Sequence, residues 1–242
     1  MERNVTLDFV RGVAILGILL LNISAFGLPK AAYLNPAWYG AITPQDAWTW
    51  AFLDLIGQVK FLTLFALLFG AGLQMLLPRG RRWIQSRLTL LVLLGFIHGL
   101  LFWDGDILLA YGLVGLICWR LVLQMPRELS APFQAIGYAS LFYGFWPQLS
   151  RFKLVLAIAC VGRMALTNYL LQTLICTTLF YHLGLFMHFD RLELLAFVIP
   201  VWLANILFSV IWLRYFRQGP VEWLWRQLTL RAAGPAISKT SR

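Results

Sequence analysis

Charge is scarce in this chain. Only 12% of its 242 residues are Asp, Glu, Lys or Arg, against about a quarter in an ordinary soluble domain. That excludes a water-soluble globule, and the 60% hydrophobic content excludes disorder, which needs the opposite composition. Acid is scarcer still, with 10 Asp and Glu against 20 Lys and Arg and a net charge of +10. The basic residues sit in short loops and in the tail between apolar runs, as in cytoplasmic loops of membrane proteins, so the expected partner is lipid and not nucleic acid. Cysteine is rare too. Cys118, Cys160 and Cys176 lie in apolar stretches without paired spacing, which excludes a disulfide framework and a zinc site. Dinucleotide, P-loop, zincin and nucleophile-elbow motifs are missing, as is any metal-spaced cluster, so no metal or resident cofactor is expected.

What the chain has in excess is long apolar runs. A helix needs about 20 mainly apolar residues to span the hydrocarbon core. The expected spans are Phe9 to Phe26, Leu55 to Leu77, Leu88 to Phe102, Ile107 to Leu121, Phe133 to Trp146, Met164 to Gly184 and Leu195 to Leu213. The first could pass for a signal peptide, but Asp8 and Arg11 intrude at its start and no small-x-small cleavage site follows. The fold class is therefore all-α, a polytopic transmembrane bundle of about seven apolar helices. The expected division is an N-terminal four-helix half (1–123), a C-terminal half (124–218) and a basic interfacial tail (219–242).

Positive charge sets the expected orientation. Arg79, Arg81, Arg82 and Arg87, and the tail from Arg214 to Arg242, belong on the cytoplasmic side, and counting back places the N-terminus there as well. Lys30 to Trp50 and the turn Asp104-Gly105-Asp106 then face outward. The second half breaks the pattern. Arg120 and Arg127 and the tail all ask for the inside, which needs an even number of crossings between them, and the runs supply three. The junction Leu121 to Pro126 is the suspect.

Five ordered motifs carry a resemblance. They are Leu7-Asp8-Phe9-Val10-Arg11-Gly12, Phe61 to Gly72, His98 with Trp103 to Tyr111, Gly162-Arg163-Met164-Ala165-Leu166-Thr167-Asn168, and Gly219 to Arg226. Together they resemble the YeiB family of bacterial inner-membrane proteins over nearly the whole chain. The resemblance implies longer members, with further spanning helices near Leu123. More distantly the family is similar to transmembrane acyltransferases, which move an acyl group from cytosolic acyl-CoA to a sugar. The Asp-x-x-Arg-Gly start and Trp38-Tyr39-Gly40 carry that likeness. Asn35 stands where those enzymes have their catalytic histidine.

Asp8 and Arg11, three apart, share a helix face and can pair; the alternatives are a structural ion pair and an anchor for an anionic group. Lys60, inside an apolar run, either snorkels or meets a donor's phosphates. Arg163 opens a polar stretch with Thr167, Asn168 and Gln172, explained by interhelical hydrogen bonding or by donor binding. Gly70 and Gly72 read as close-packing positions, and His182 and His188 as interfacial. His98, about one turn before Trp103 and the Asp104-Gly105-Asp106 turn, is the candidate general base, with Asp106 orienting it; a bundle hydrogen bond is the alternative. The first functional expectation is acyl transfer to an envelope saccharide, with acyl-CoA as co-substrate. The rivals are a transporter or exporter of a small solute and a non-catalytic membrane component.

Overall fold

The computed structural model describes residues 5–35, 43–124 and 150–234. Among them every regular element is helical. They are α1 (Val5–Gly27), α2 (Lys30–Leu34), α3 (Pro44–Phe52), α4 (Val59–Met75), α5 (Arg81–Leu101), α6 (Leu108–Gln124), α7 (Lys153–Arg163), α8 (Ala165–Thr177), α9 (Arg191–Tyr215) and α10 (Pro220–Ala233). A wide turn, Leu53–Gln58, joins α3 to α4, and another, Thr178–His182, ends α8. Backbone groups in hydrocarbon must bond within their own segment, so a helical chain is the expected outcome of this composition.

Among the described residues α1, α5 and α9 are long and apolar enough to cross a membrane, and the α7–α8 pair counts as a fourth crossing if its 88° bend is taken as one broken span. The expected span at Met164 to Gly184 is thus the second arm of an elbow, and α6 is shorter. The expected span at Phe133 to Trp146 and the junction at Pro126 lie outside the described residues. Pro200 sits within α9 without ending it, a tolerance usual for bundled membrane helices.

The residues fall into two compact units, 1–65 with 145–219 and 66–144 with 220–242. In the first, α1 is the core helix: Ala14, Ile15, Ile18, Leu19, Ile23 and Phe26 are all at most 2% exposed. It packs closely on α7 because glycines face each other. A Cβ on Gly162 would lie 1.8 Å from the Asp8 carbonyl oxygen, and one on Gly12 would lie 2.1 Å from that of Ile158. Small residues that admit backbone to backbone are the usual means of helix association in lipid. Gly70, expected to do the same, has none of the described atoms within 4 Å of its Cβ position. In the second unit α5 and α6 form an antiparallel hairpin, with Ile84, Leu88 and Trp119 packed on Leu73 of α4.

Candidate functional site

The hairpin builds the first site. His98 lies in the last turn of α5, and the chain reverses through Phe102 to Ile107 before α6 begins. The reversal carries Asp106 back over His98, with 2.8 Å between Nδ1 and Oδ1. A carboxylate only accepts, so Nδ1 carries the shared proton and Nε2 becomes the basic nitrogen. Both side chains are nearly enclosed, at 4% and 3% exposed. The second carboxylate oxygen accepts from the Leu109 amide at 2.8 Å, so Asp106 also caps the start of α6. Gly95 makes room for this. A Cβ there would stand 2.8 Å from Asp106 Oδ2 and 2.2 Å from the Leu109 nitrogen. Phe102 stacks on the His98 ring at 6.0 Å between centroids, and buried Trp103 folds over Gly105. The ring is therefore fixed in tautomer and direction before any substrate arrives.

The second site lies in the other unit, where α1 crosses α7. Arg11 Nη1 is 3.9 Å from Asp8 Oδ1, a long ion pair of a half-exposed arginine and a buried aspartate. Gly162 abuts the Asp8 to Gly12 turn, so its neighbour Arg163 belongs to the same corner, and Arg163 donates to the Arg217 carbonyl. Neutralising one member of the pair strands the other charge, whereas removing both does not. Asp8→Asn and Arg11→Gln should therefore each lower membrane accumulation more than the double variant does. The coupling should be about 1 kcal/mol, since Arg11 keeps 31% of its surface in contact with solvent or headgroups. Additive losses in a double-mutant cycle would dissolve the pair.

Beside this corner runs a polar seam. The Asn168 amide nitrogen donates toward the Val161 carbonyl (3.1 Å), the Met164 carbonyl (3.0 Å) and Ser209 Oγ (2.8 Å). At the 88° bend it adds side-chain bonds to two carbonyls that also accept from the Met164 and Asn168 amides, and so fastens the corner. Gln172 Nε2 donates to the Ile15 carbonyl at 3.3 Å and Trp202 Nε1 to that of Leu16 at 2.9 Å. Asn205 and Ser209, both fully buried, were missed in the sequence although their four-residue spacing within an apolar run marks one helix face. Two buried groups at the far ends, Arg191, which donates to the Ala32 carbonyl, and Asp46, bonded to Thr43, also went unread.

The structure thus brings His98 to Asp106 and Asp8 to Arg11, with Arg163 next in sequence to the Gly162 that packs on α1. Lys60 lies in α4, and its side chain is outside the described ones. Asn35 is exposed at the end of α2, and Trp38-Tyr39-Gly40 lies outside the described residues. His182 and His188 bond backbone carbonyls of Thr177 and Phe186, near the turn before α9. Among the described residues no group of three His, Cys, Asp or Glu could hold a metal ion.

Residues 80–232 match the family described as a protein of unknown function, DUF418. The chain is 63% identical to the uncharacterised protein YeiB of Escherichia coli, with all of both chains covered. It is 26% identical to the uncharacterised YxaH of Bacillus subtilis, over 99% of this chain and 97% of that one. A 39.9 kDa protein from the amylase 3′ region of Bacillus acidopullulyticus is 24% identical over 98% and 97%. The alignment with the Escherichia coli protein runs over 385 positions against 242 residues here, so that protein holds sequence with no counterpart in this chain. Longer relatives are what the resemblance implied. No solved structure matches. On the family match and the end-to-end identity with YeiB, the chain belongs to the DUF418 family.

Proposed function

We propose that the chain is a membrane-embedded acyl transferase whose general base is His98, oriented by Asp106. The observation that supports this reading is the enclosed 2.8 Å contact between Nδ1 and a carboxylate that is itself anchored on a helix start. In the reaction, Nε2 takes the proton of an acceptor hydroxyl or amine as that atom attacks the thioester carbon of acyl-CoA. The new acyl–oxygen or acyl–nitrogen bond replaces the carbon–sulfur bond, and the thiolate leaves to be protonated. Arg11 and Arg163, with Lys60, are the proposed contacts for the donor's phosphates, and an envelope saccharide is the proposed acceptor. Purified protein in lipid, given radiolabelled acetyl-CoA with and without membrane sugar acceptors, tests this directly. Label should pass to an acceptor only when the protein is present, and label staying on coenzyme A in every arm would end the proposal.

The broken α7–α8 pair favours a second reading, a solute transporter, because interrupted helices with buried polar seams line transport sites. It expects flux of a solute and no acyl product. Either reading places the protein in the inner membrane with both termini and residues 79–87 cytoplasmic, and residues 30–50 and 104–106 outside. Cysteines introduced at exposed Gln45 and exposed Pro78 of a Cys-free chain should differ accordingly. An impermeant thiol reagent should label the first in intact cells and the second only after permeabilisation. The reverse order would invert the topology.

A further inference from the structure

The start of α5 is electrostatically anomalous. A helix N-terminus carries about half a positive charge and three or four amides with no intrahelical acceptor, and is ordinarily met by acids and a capping side chain. Here the first turn has no acid, and the residue before it, Gly80 at φ 92°, supplies no side-chain cap. Instead Arg81 and Arg82 occupy the first two positions and Arg79 lies just before them, all three exposed. The Ile84 amide reaches the Gly80 carbonyl at 3.3 Å, which leaves the amides of Arg81, Arg82 and Trp83 as the end of the helix ladder. Each arginine raises the positive potential that the helix end already has. Among the described residues no acid and no capping side chain on this turn offsets it.

A second observation at the same turn comes from Trp83. Its side chain is buried, at 2% exposed, and its indole Nε1–H has no hydrogen-bond partner among the described residues. Unpartnered indole donors in a buried setting are rare because they forfeit a hydrogen bond to water. The ring lies against Arg79, whose guanidinium carbon is 5.1 Å from its centroid. Arg87, further along, is engaged otherwise: it sits 3.7 Å over Trp225 of α10, whose Nε1 donates to the Arg87 carbonyl. The unmet demand is therefore local to residues 79–83 and is of one kind, for acceptor oxygens carrying negative charge.

We propose that the start of α5 binds a phosphate group, held by the free amides of the first turn, the forks of Arg79, Arg81 and Arg82, and the Trp83 indole. Phosphate has the charge to offset the helix end and enough oxygens to take all three kinds of donor. Two sources present that chemistry at this depth, the phosphodiester of an anionic phospholipid and a soluble phosphate. The proposal does not depend on acyl transfer, since none of these residues is assigned to it.

The test uses the whole chain in nanodiscs. In one arm phosphatidylglycerol replaces part of the phosphatidylcholine; in the other, inorganic phosphate is added to phosphatidylcholine discs, with chloride at equal ionic strength as the control. The melting temperature should rise with one phosphate source beyond the chloride control, and the arm that responds names the source. Loss of a charge-assisted hydrogen bond weakens binding about ten- to a hundredfold. Arg81→Gln with Arg82→Gln should therefore shift the midpoint of the phosphate titration by at least tenfold. Trp83→Phe keeps the ring and removes only the donor, so it should melt no lower than the parent in phosphatidylcholine yet lose part of the phosphate-dependent gain. Equal gains in the parent, the double arginine variant and Trp83→Phe would overturn the proposal, as would no gain from either source.

Discussion

The proposed acyl transfer should fall by about 10²–10⁴ in a His98→Gln protein, equivalent to roughly 3–5 kcal/mol of barrier, while yield and melting temperature are kept. Glutamine can present a donor to the Asp106 carboxylate in place of Nδ1–H, so the clasp between the two helices is preserved and only proton transfer is removed. That separation makes the variant informative. Asp106→Asn should behave differently, because its carboxylate serves two partners, the imidazole and the Leu109 amide. It should lose less rate than His98→Gln but cost stability of about 1 kcal/mol through the weakened cap. A turnover assay paired with thermal denaturation reads both effects. Full activity in folded His98→Gln would remove the residue from the chemistry and leave the pair as a hairpin fastening.

The largest structural effect is expected at Gly162. Its Cβ position is occupied by backbone, the Asp8 carbonyl at 1.8 Å and the Gly12 nitrogen at 2.4 Å. Backbone cannot rotate aside as a side chain can, so Gly162→Ala must push α7 off α1. Overpacking typically costs about 1–3 kcal/mol, and this site belongs at the upper end. Gly70→Ala supplies the matched control, since it meets none of the described atoms within 4 Å. It gains helix propensity of about 1 kcal/mol relative to glycine and should accumulate at least as well as the parent. Comparable melting temperatures for the two variants would mean that α1 and α7 do not cross as described.

How legible this was in the sequence depends on where each feature gets its energy. The spans α1, α5 and α9 came through because length and hydropathy suffice for a helix in hydrocarbon. His98 and Asp106 were legible as a pair because a tight reversal between them leaves little freedom. The elbow at Met164 was not legible. Residues 153 to 184 are apolar on both sides of it and contain no proline, so local preference favours a continuing helix. The bend is imposed from outside, by Gly162 docking on α1 and by the Asn168 side chain tying the Val161 and Met164 carbonyls to Ser209 of α9. The misreading of Gly70 has the same origin: glycine in an apolar run marks a contact only when a partner helix arrives there. Ser209 escaped because an isolated hydroxyl in a very apolar helix looks like noise until α8 supplies the Asn168 contact, and Asn205, one turn before it, was passed over with it.

The glycine crossing between α1 and α7 also bears on how the chain is made. The two halves of that contact, Gly12 and Gly162, are separated by most of the chain. At a synthesis rate of about 5–20 residues per second, α1 emerges roughly 8–30 s before the surface that will cover it. During that interval a helix carrying Asp8, Arg11 and a bare glycine face must reside in the insertion machinery or in lipid without its partner, with its ionised groups near the headgroups. Its final burial is thus a late, post-insertional event: a helix made early is enclosed only after α7 has been made.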